Sequence, residues 1–292
     1  RDRVLDPIGV GELRWVQYQP GVDLGFSGVF TNLDAIARLG QLHLDDGVWD
    51  GRRLLAEGWV DQASSVHIEN PQRPEPDWRR GYGLQTWMCR HGYRGDGAFG
   101  QYMVVLPEQD AVVAFFSQSE PMQPFLDHLW EHLIPAFGTD GSPDPAGDRT
   151  VLDRVADLRV PTAAERTGRN GPLNDVAAGR FTRDDGVASH PSITSVEVTS
   201  GPDASLTVHE EDSSITVPLT PGWTDVVGIP ISASAAVGEG GAARVELVMR
   251  ATPHRLELTT DPATSTFRAT WPLFPLFGLG VDAALSRMRP PA

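Results

Sequence analysis

Lysine is absent from this 292-residue chain, so all 24 of its basic side chains are arginine. That removes one common catalytic base and rules out any S-x-x-K nucleophile box within these residues. A single cysteine, Cys89, excludes an internal disulfide and a cysteine-built zinc site. It sits in an apolar run and reads as a buried structural thiol; a lone cysteine also leans towards the cytoplasm. No basic cluster offsets the formal charge of −15, which argues against nucleic acid and anionic membrane surfaces as partners. The apolar tail Trp271–Val281 is interrupted by Pro272 and Pro275 and is too short to span a bilayer. The opening residues RDRVLDPIGV do not form a signal peptide and begin on arginine, so the chain is expected to be truncated at its start.

What remains is an ordinary globular composition, 40% hydrophobic and 22% charged, long enough for two cores. The most informative stretch is Gly81–Ser117, GYGLQTWMCRHGYRGDGAFGQYMVVLPEQDAVVAFFS. It predicts three antiparallel strands with a glycine-dense bend, Gly92–Gly100, between the first two. The apolar runs Tyr102–Leu106 and Ala111–Phe116 flank the turn Pro107-Glu108-Gln109-Asp110. Gly92, Gly95, Gly97 and Gly100 let a backbone approach a ligand or another strand where side chains would block it. Such a glycine-rich edge can turn the chain as a bulge and can also present backbone N–H groups to an oxyanion; the two readings are compatible.

Upstream, Thr31-Asn32-Leu33-Asp34 opens a helix with a capping-box pattern, and Ile36, Ala37, Leu39 and Gly40 share one face. Trp49-Asp50-Gly51 predicts a turn and Leu54–Ala63 a short helix. Downstream, Pro121–Phe137 predicts a helix with an apolar stripe through Phe125, Leu126, Leu129, Trp130, Leu133 and Ile134. Gly138–Asp148 has linker composition, with a short helix expected over Val151–Val160. From about Asn174 short alternating runs dominate: Thr194–Thr199, Leu206–Val208, Ile215–Leu219, Arg244–Arg250, Arg255–Thr259 and Thr266–Trp271. A closing helix is expected over Phe274–Arg287. The expected division is therefore 1–137, a linker at 138–173, and a β-rich domain at 174–292.

Several patterns resemble chemistry. His128-Leu129-Trp130-Glu131-His132 fits H-x-x-E-H, two histidines one helical turn apart beside a glutamate. A third ligand from a second helix is not evident, so the pair reads first as boundary residues of the apolar stripe. Ser27 in Gly25-Phe26-Ser27-Gly28-Val29 misses the G-x-S-x-G elbow, because Val29 replaces the second glycine. No Y-x-N or Y-x-S occurs: Tyr18, Tyr82, Tyr93 and Tyr102 are followed two residues on by Pro20, Leu84, Gly95 and Val104. Asp45-Asp46 and Glu210-Glu211-Asp212 read as solvated turns.

These words together resemble the C-terminal part of the serine β-lactamase and penicillin-binding-protein-like hydrolases. That group includes class C β-lactamases, related esterases and the 6-aminohexanoate-dimer hydrolases. The matching words are Gly81-Tyr82-Gly83-Leu84, Gly97-Ala98-Phe99-Gly100-Gln101-Tyr102 and Pro107-Glu108-Gln109-Asp110, preceded by Gly28-Val29-Phe30-Thr31, Asp34–Gly40 and Asp50–Leu55. The resemblance implies an α+β fold, an antiparallel sheet flanked by helices and truncated N-terminally. It implies a third active-site box at Gly95-Asp96-Gly97, with the Ala98 amide as oxyanion donor and Arg94 as a substitute for the family's lysine. It also implies an acyl-enzyme route to ester or amide hydrolysis. The nucleophile and base boxes lie upstream in that family, so this chain alone is expected to be inactive. The β-rich region resembles the lipocalin-like or sandwich domains appended to such hydrolases. No cofactor and no metal are assigned, and the only partner is a small-molecule ester or amide. A non-catalytic binding or scaffolding protein is the alternative, with a zinc hydrolase using His128 and His132 behind it.

Overall fold

A computed structural model of the chain describes residues 1–138, 144–168, 171–184 and 192–276. It divides into two compact units, Arg1–Pro143 and Asp144–Ala292.

In the first unit, helix α1 (Leu33–Leu44) starts where the Asn32 side chain accepts the Ala35 N–H at 2.9 Å. Two-residue and three-residue ribbons surround it: Arg14–Trp15 with Val29–Phe30, Gln17–Gln19 with Val22–Asp23, and Val48–Trp49 with Arg52–Arg53. The last turns through Asp50 and Gly51, at φ 46° and 75°, where aspartate and glycine tolerate left-handed backbone. Helix α2 covers only Trp59–Ala63. The expected start at Leu54 fails because Arg52–Arg53 are a strand and Gly58, at φ 74°, breaks the helical path.

The main sheet has four antiparallel strands, β1 (Trp87–Cys89), β2 (Gly92–Gly97), β3 (Gln101–Leu106) and β4 (Ala111–Phe115), in the order β4-β3-β2-β1. The predicted bend Gly92–Gly100 is thus mostly a strand, and only Ala98-Phe99-Gly100 turns. Gly92 explains why: a Cβ there would lie 2.1 Å from the Val105 carbonyl oxygen, so glycine permits the strand pairing. One face of the sheet packs on α1. Gly40 is the point of closest approach, since a Cβ would meet Val112 Cγ1 at 2.5 Å. Around it Ile36 and Leu39 pack with Tyr93, Met103 and Val105.

The opposite face carries Tyr102, Val104 and Leu106 and is covered by Leu126 and Trp130. Those two belong to helix α3 (Gln123–His128) and the π turn that extends it, Leu129–Leu133. A 3-10 turn, Ile134–Ala136, follows. The single regular helix expected over Pro121–Phe137 is therefore three kinds of turn in sequence. Pro135 supplies the reason: it has no N–H for the residue 131 carbonyl and its ring crowds that oxygen.

In the second unit the segment expected as linker carries α4 (Pro145–Ala156), capped by Asp144, and α5 (Ala163–Thr167), which has a Thr162/Glu165 capping box. Nine strands follow: β5 (Gly179–Arg183), β6 (Ser195–Thr199), β7 (Ser205–His209), β8 (Ser214–Pro218), β9 (Thr224–Asp225), β10 (Ile231–Val237), β11 (Ala243–Met249), β12 (Arg255–Asp261) and β13 (Thr266–Thr270). Sequence neighbours pair antiparallel, and β5 pairs parallel with β13 through Thr182↔Thr266 and Arg183↔Phe267. The parallel closure is a matter of parity, because the first and last strands of an odd-numbered meander point the same way. The ring is open only between β8 and β9, where the Ala235 N–H donates to the Thr220 carbonyl at 2.7 Å. Pro218, which cannot donate to a ladder, stands at that opening.

Alternate residues of each strand fill one apolar core, among them Val196, Leu206, Val217, Leu247, Leu256 and Phe267. Strand β10 was not legible because ISASAAV has β-branched residues only at its two ends and small alanines and serines between them. Its outer face is also covered: Ala236 packs on Ala163 and Ala164 of α5, and the Ala163 N–H donates to Ser234 Oγ at 2.9 Å. The closing helix expected over Phe274–Arg287 lies mostly outside the described residues.

Candidate active-site edge

Strand β1 pairs with only the first half of β2, through Trp87↔Arg94, Met88↔Tyr93 and Cys89↔Gly92. Beyond Arg94, residues Gly95, Asp96 and Gly97 pair with β3 on one side and have no strand partner on the other among the described residues. Their two glycines differ. A Cβ on Gly97 would meet Gln101 Cβ at 2.9 Å, whereas one on Gly95 would find Met103 at an ordinary 3.6 Å. Packing within this unit therefore does not require glycine at 95, and its bareness leaves the strand edge low.

The turn that ends this edge is held from behind. Phe99 and Gly100 adopt φ 66° and 85°, and a Cβ on Gly100 would lie 2.1 Å from Ser117 Oγ. Ser117 Oγ lies within donating distance of the carbonyls of Phe99, at 2.7 Å, and Gly100, at 3.0 Å. The Ser119 N–H donates to the Phe99 carbonyl at 3.1 Å, and Gln101 Nε2 to the Ser117 carbonyl at 2.7 Å. Ala98 is exposed, and its N–H has no acceptor among the described residues.

Arg94 and Asp96 sit two residues apart on β2, so both side chains enter the face covered by α3. Arg94 is 0% exposed. Its guanidinium lies 4.4 Å from the Trp78 ring, with Trp87 and Tyr102 each at 5.9 Å. It donates to the Met88 carbonyl at 2.9 Å and to Asp96 Oδ2 at 3.0 Å. The positive charge is thus enclosed by aromatic faces and answered internally. In this unit Arg94 holds Asp96 and does not reach the open edge. Burial pushes the Asp96 carboxyl up to about 6, and the Arg94 charge offsets this only in part. Burial also raises the Tyr102 and Tyr82 phenols, and the Asp96 charge adds to both.

A second buried carboxylate fixes the aromatic lid. Asp77, 0% exposed, accepts from the Arg90 N–H and Nη2, each at 2.9 Å, from Gln123 Nε2 at 2.6 Å and from Trp130 Nε1 at 3.0 Å. Arg90 also pairs with Asp127. Burial raises the Asp77 carboxyl, but the bonds from Arg90, Gln123 and Trp130 outweigh it and leave the group below its usual value. Asp77 adjoins Trp78, so this knot places the ring that covers Arg94.

The other sequence candidates separate. Cys89 is buried and its thiol is pushed up to about 11, chiefly by burial, which suits an inert structural residue. Ser27 lies in a bend between two ribbons; its carbonyl accepts from Trp15 Nε1 at 3.1 Å, and Gly28 packs against Val16. It is not at a strand-to-helix elbow. Asp46 pairs with Arg53 at 3.1 Å, as befits a solvated turn. His128, Glu131 and His132 are exposed and close together, with one ligand atom from each lying within 4.8 Å of the others. Sequence reading missed Asp77, whose partners lie between 13 and 53 residues away and leave no local signature.

A sheet layered between helices and ending in a glycine-bare edge makes the first unit an α+β domain. Residues 3–136 match the family model described as Beta-lactamase. Among solved structures, the octameric penicillin-binding protein homologue from Pyrococcus abyssi aligns at 12% identity and a TM-score of 0.32, over 88% of this chain and 56% of that one. This chain therefore spans little more than half the length of that protein. Comparison with curated protein sequences returned no match.

Proposed function

We propose that the first unit forms one wall of an acyl-transfer pocket that cleaves a small ester or amide. The observation that carries this reading is the free edge Gly95-Asp96-Gly97 ending on the unbonded, exposed Ala98 N–H. An extended substrate can lie along that edge with its carbonyl oxygen towards Ala98. The amide then stabilises the negative charge that develops on the oxygen, and the bonds behind Phe99 and Gly100 hold it in place beforehand. The Arg94–Asp96 pair under Trp78 stiffens the strand from its inner face. The nucleophilic serine and its base come from polypeptide outside these 292 residues, since S-x-x-K and Y-x-N are absent within them.

Incubating the purified chain with a p-nitrophenyl ester and with a chromogenic cephalosporin tests this assignment. The expected result is silence with both, and ester or amide turnover when the chain is expressed with its preceding coding sequence. Chelator-insensitive turnover by the 292-residue chain alone would overturn it, because no nucleophile here is assigned to perform it.

A further inference from the structure

We propose that His128, Glu131 and His132 form a surface site for a divalent transition-metal ion of the zinc class. The site is independent of the acyl-transfer edge. All three residues are exposed at the border of the apolar stripe while Leu126 and Trp130 do the packing, so their donor atoms are open to an ion. The two imidazoles stack with ring centroids 5.7 Å apart and planes inclined by 18°. Glu131 Oε2 stands 3.8 Å from His132 Nε2. One donor atom from each residue thus lies within 4.8 Å of the other two.

A tetrahedral zinc ion, with Zn–N and Zn–O bonds of about 2.0–2.2 Å, needs its donors about 3.3–3.5 Å apart. Small rotations of exposed side chains cover that difference without moving the backbone. A third ligand from a second helix is not needed, because Glu131 supplies a donor from the π turn itself. Two imidazoles and a carboxylate form a mixed N/O set that suits zinc, whereas magnesium and calcium favour oxygen alone. Three protein donors leave a fourth position for water or an outside ligand. Both histidines also line an apolar groove of about 600 Å³, walled by Val113, Phe115, Phe125, Leu129 and Leu133. An outside ligand with a metal-binding head and an apolar body would match that surroundings.

The test is a titration of the chelator-treated 292-residue chain with zinc chloride against a chromophoric competitor. One equivalent of zinc should bind per chain, and cobalt in its place should give the visible absorption of a tetrahedral site. His128→Ala and His132→Ala should each lose the binding, and Glu131→Gln should weaken it. Zinc should raise the unfolding midpoint of the wild type but not of the histidine variants. Far-UV circular dichroism checks that each variant folds; should a histidine variant fail there, Glu131→Gln carries the comparison. Absence of stoichiometric binding, or binding unchanged in the double histidine variant, overturns the proposal. Running the ester and cephalosporin assays with chelator present keeps the two proposals apart, since any zinc-borne turnover then disappears.

Discussion

The two sheets solve the same burial problem in opposite ways. The nine-stranded ring joins its first and last strands, β5 and β13, opens only between β8 and β9, and fills its interior with aliphatic and aromatic side chains. The four-stranded sheet leaves one edge of the second half of β2 unpaired and buries the side chains of Asp77, Arg94 and Asp96 against its inner face. Burying charge is expensive unless each group is paired and bonded, and breaking such a group is far worse than never having it. A bare edge is likewise a liability that closed rings avoid. Among the described residues the second unit buries one carboxylate, Glu246 beside Arg166 and Arg255, whereas the first sets Asp77, Arg94 and Asp96 between sheet and helix, behind the edge proposed for substrate. The contrast separates a scaffold built for burial from one that retains polar chemistry.

The largest expected effect would break this contrast at its root. Asp77→Ala should destabilise the first unit by about 3–5 kcal/mol, since Arg90, Gln123 and Trp130 all lose their shared acceptor. In the ring, Leu247→Ala should cost about 2–5 kcal/mol through the cavity it leaves. Urea unfolding followed by near-ultraviolet dichroism measures both. Only the Asp77 variant should depend strongly on pH, because only there does the loss involve an ionised group.

A smaller effect follows from Asp96. Its carboxyl titrates near 6 in the folded chain, above the ordinary aspartate value of about 4 in the unfolded one. The folded state therefore binds this proton more tightly. Its contribution is complete below about pH 4 and is lost as pH rises through about 6, amounting to about 1–3 kcal/mol. Asp77 acts in the other direction, adding stability at higher pH that acid removes. Stability measured between about pH 4 and 7 should thus lose its downward Asp96 component in Asp96→Asn. An unchanged profile in that variant would mean that Asp96 stays ionised beside Arg94.

The smallest pair of effects sharpens the role of the glycines. Gly100→Ala meets both a left-handed backbone and Ser117 Oγ, so it should lose about 1–3 kcal/mol. Gly95→Ala finds ordinary contact distance at Met103 and should stay within about 0.5–1 kcal/mol of wild type. Thermal melts of the two variants decide it. If Gly95→Ala were the worse of the two, glycine at 95 would be serving packing and not access.

Local chemistry explains what was legible beforehand. The β3–β4 hairpin announced itself through Pro107–Asp110 between two apolar runs, and α1 through Thr31–Asp34, although Asn32 and not Thr31 caps it. The Arg94–Asp96 pair was available from the two-residue period of a strand, though what covers it was not. Trp78 comes from a polar loop, and its placement depends on Asp77 reaching residues as far along as Trp130. Likewise β10 hides in a run of small residues whose strand character depends on α5 and on its neighbours. Contacts between distant segments carry no mark at either end. The π turn is an intermediate case: Pro135 signals a disturbance without saying which wider turn will absorb it.

The odd number of strands in the ring has a directional consequence. In an even-numbered meander the polypeptide returns to the rim it entered by. Here β5 and β13 run the same way, so the backbone enters at one rim and departs from the opposite one. The strand entered at Gly179 and the strand left at Thr270 therefore open onto opposite rims of the ring. Inserting or deleting one strand would fold that path back on itself.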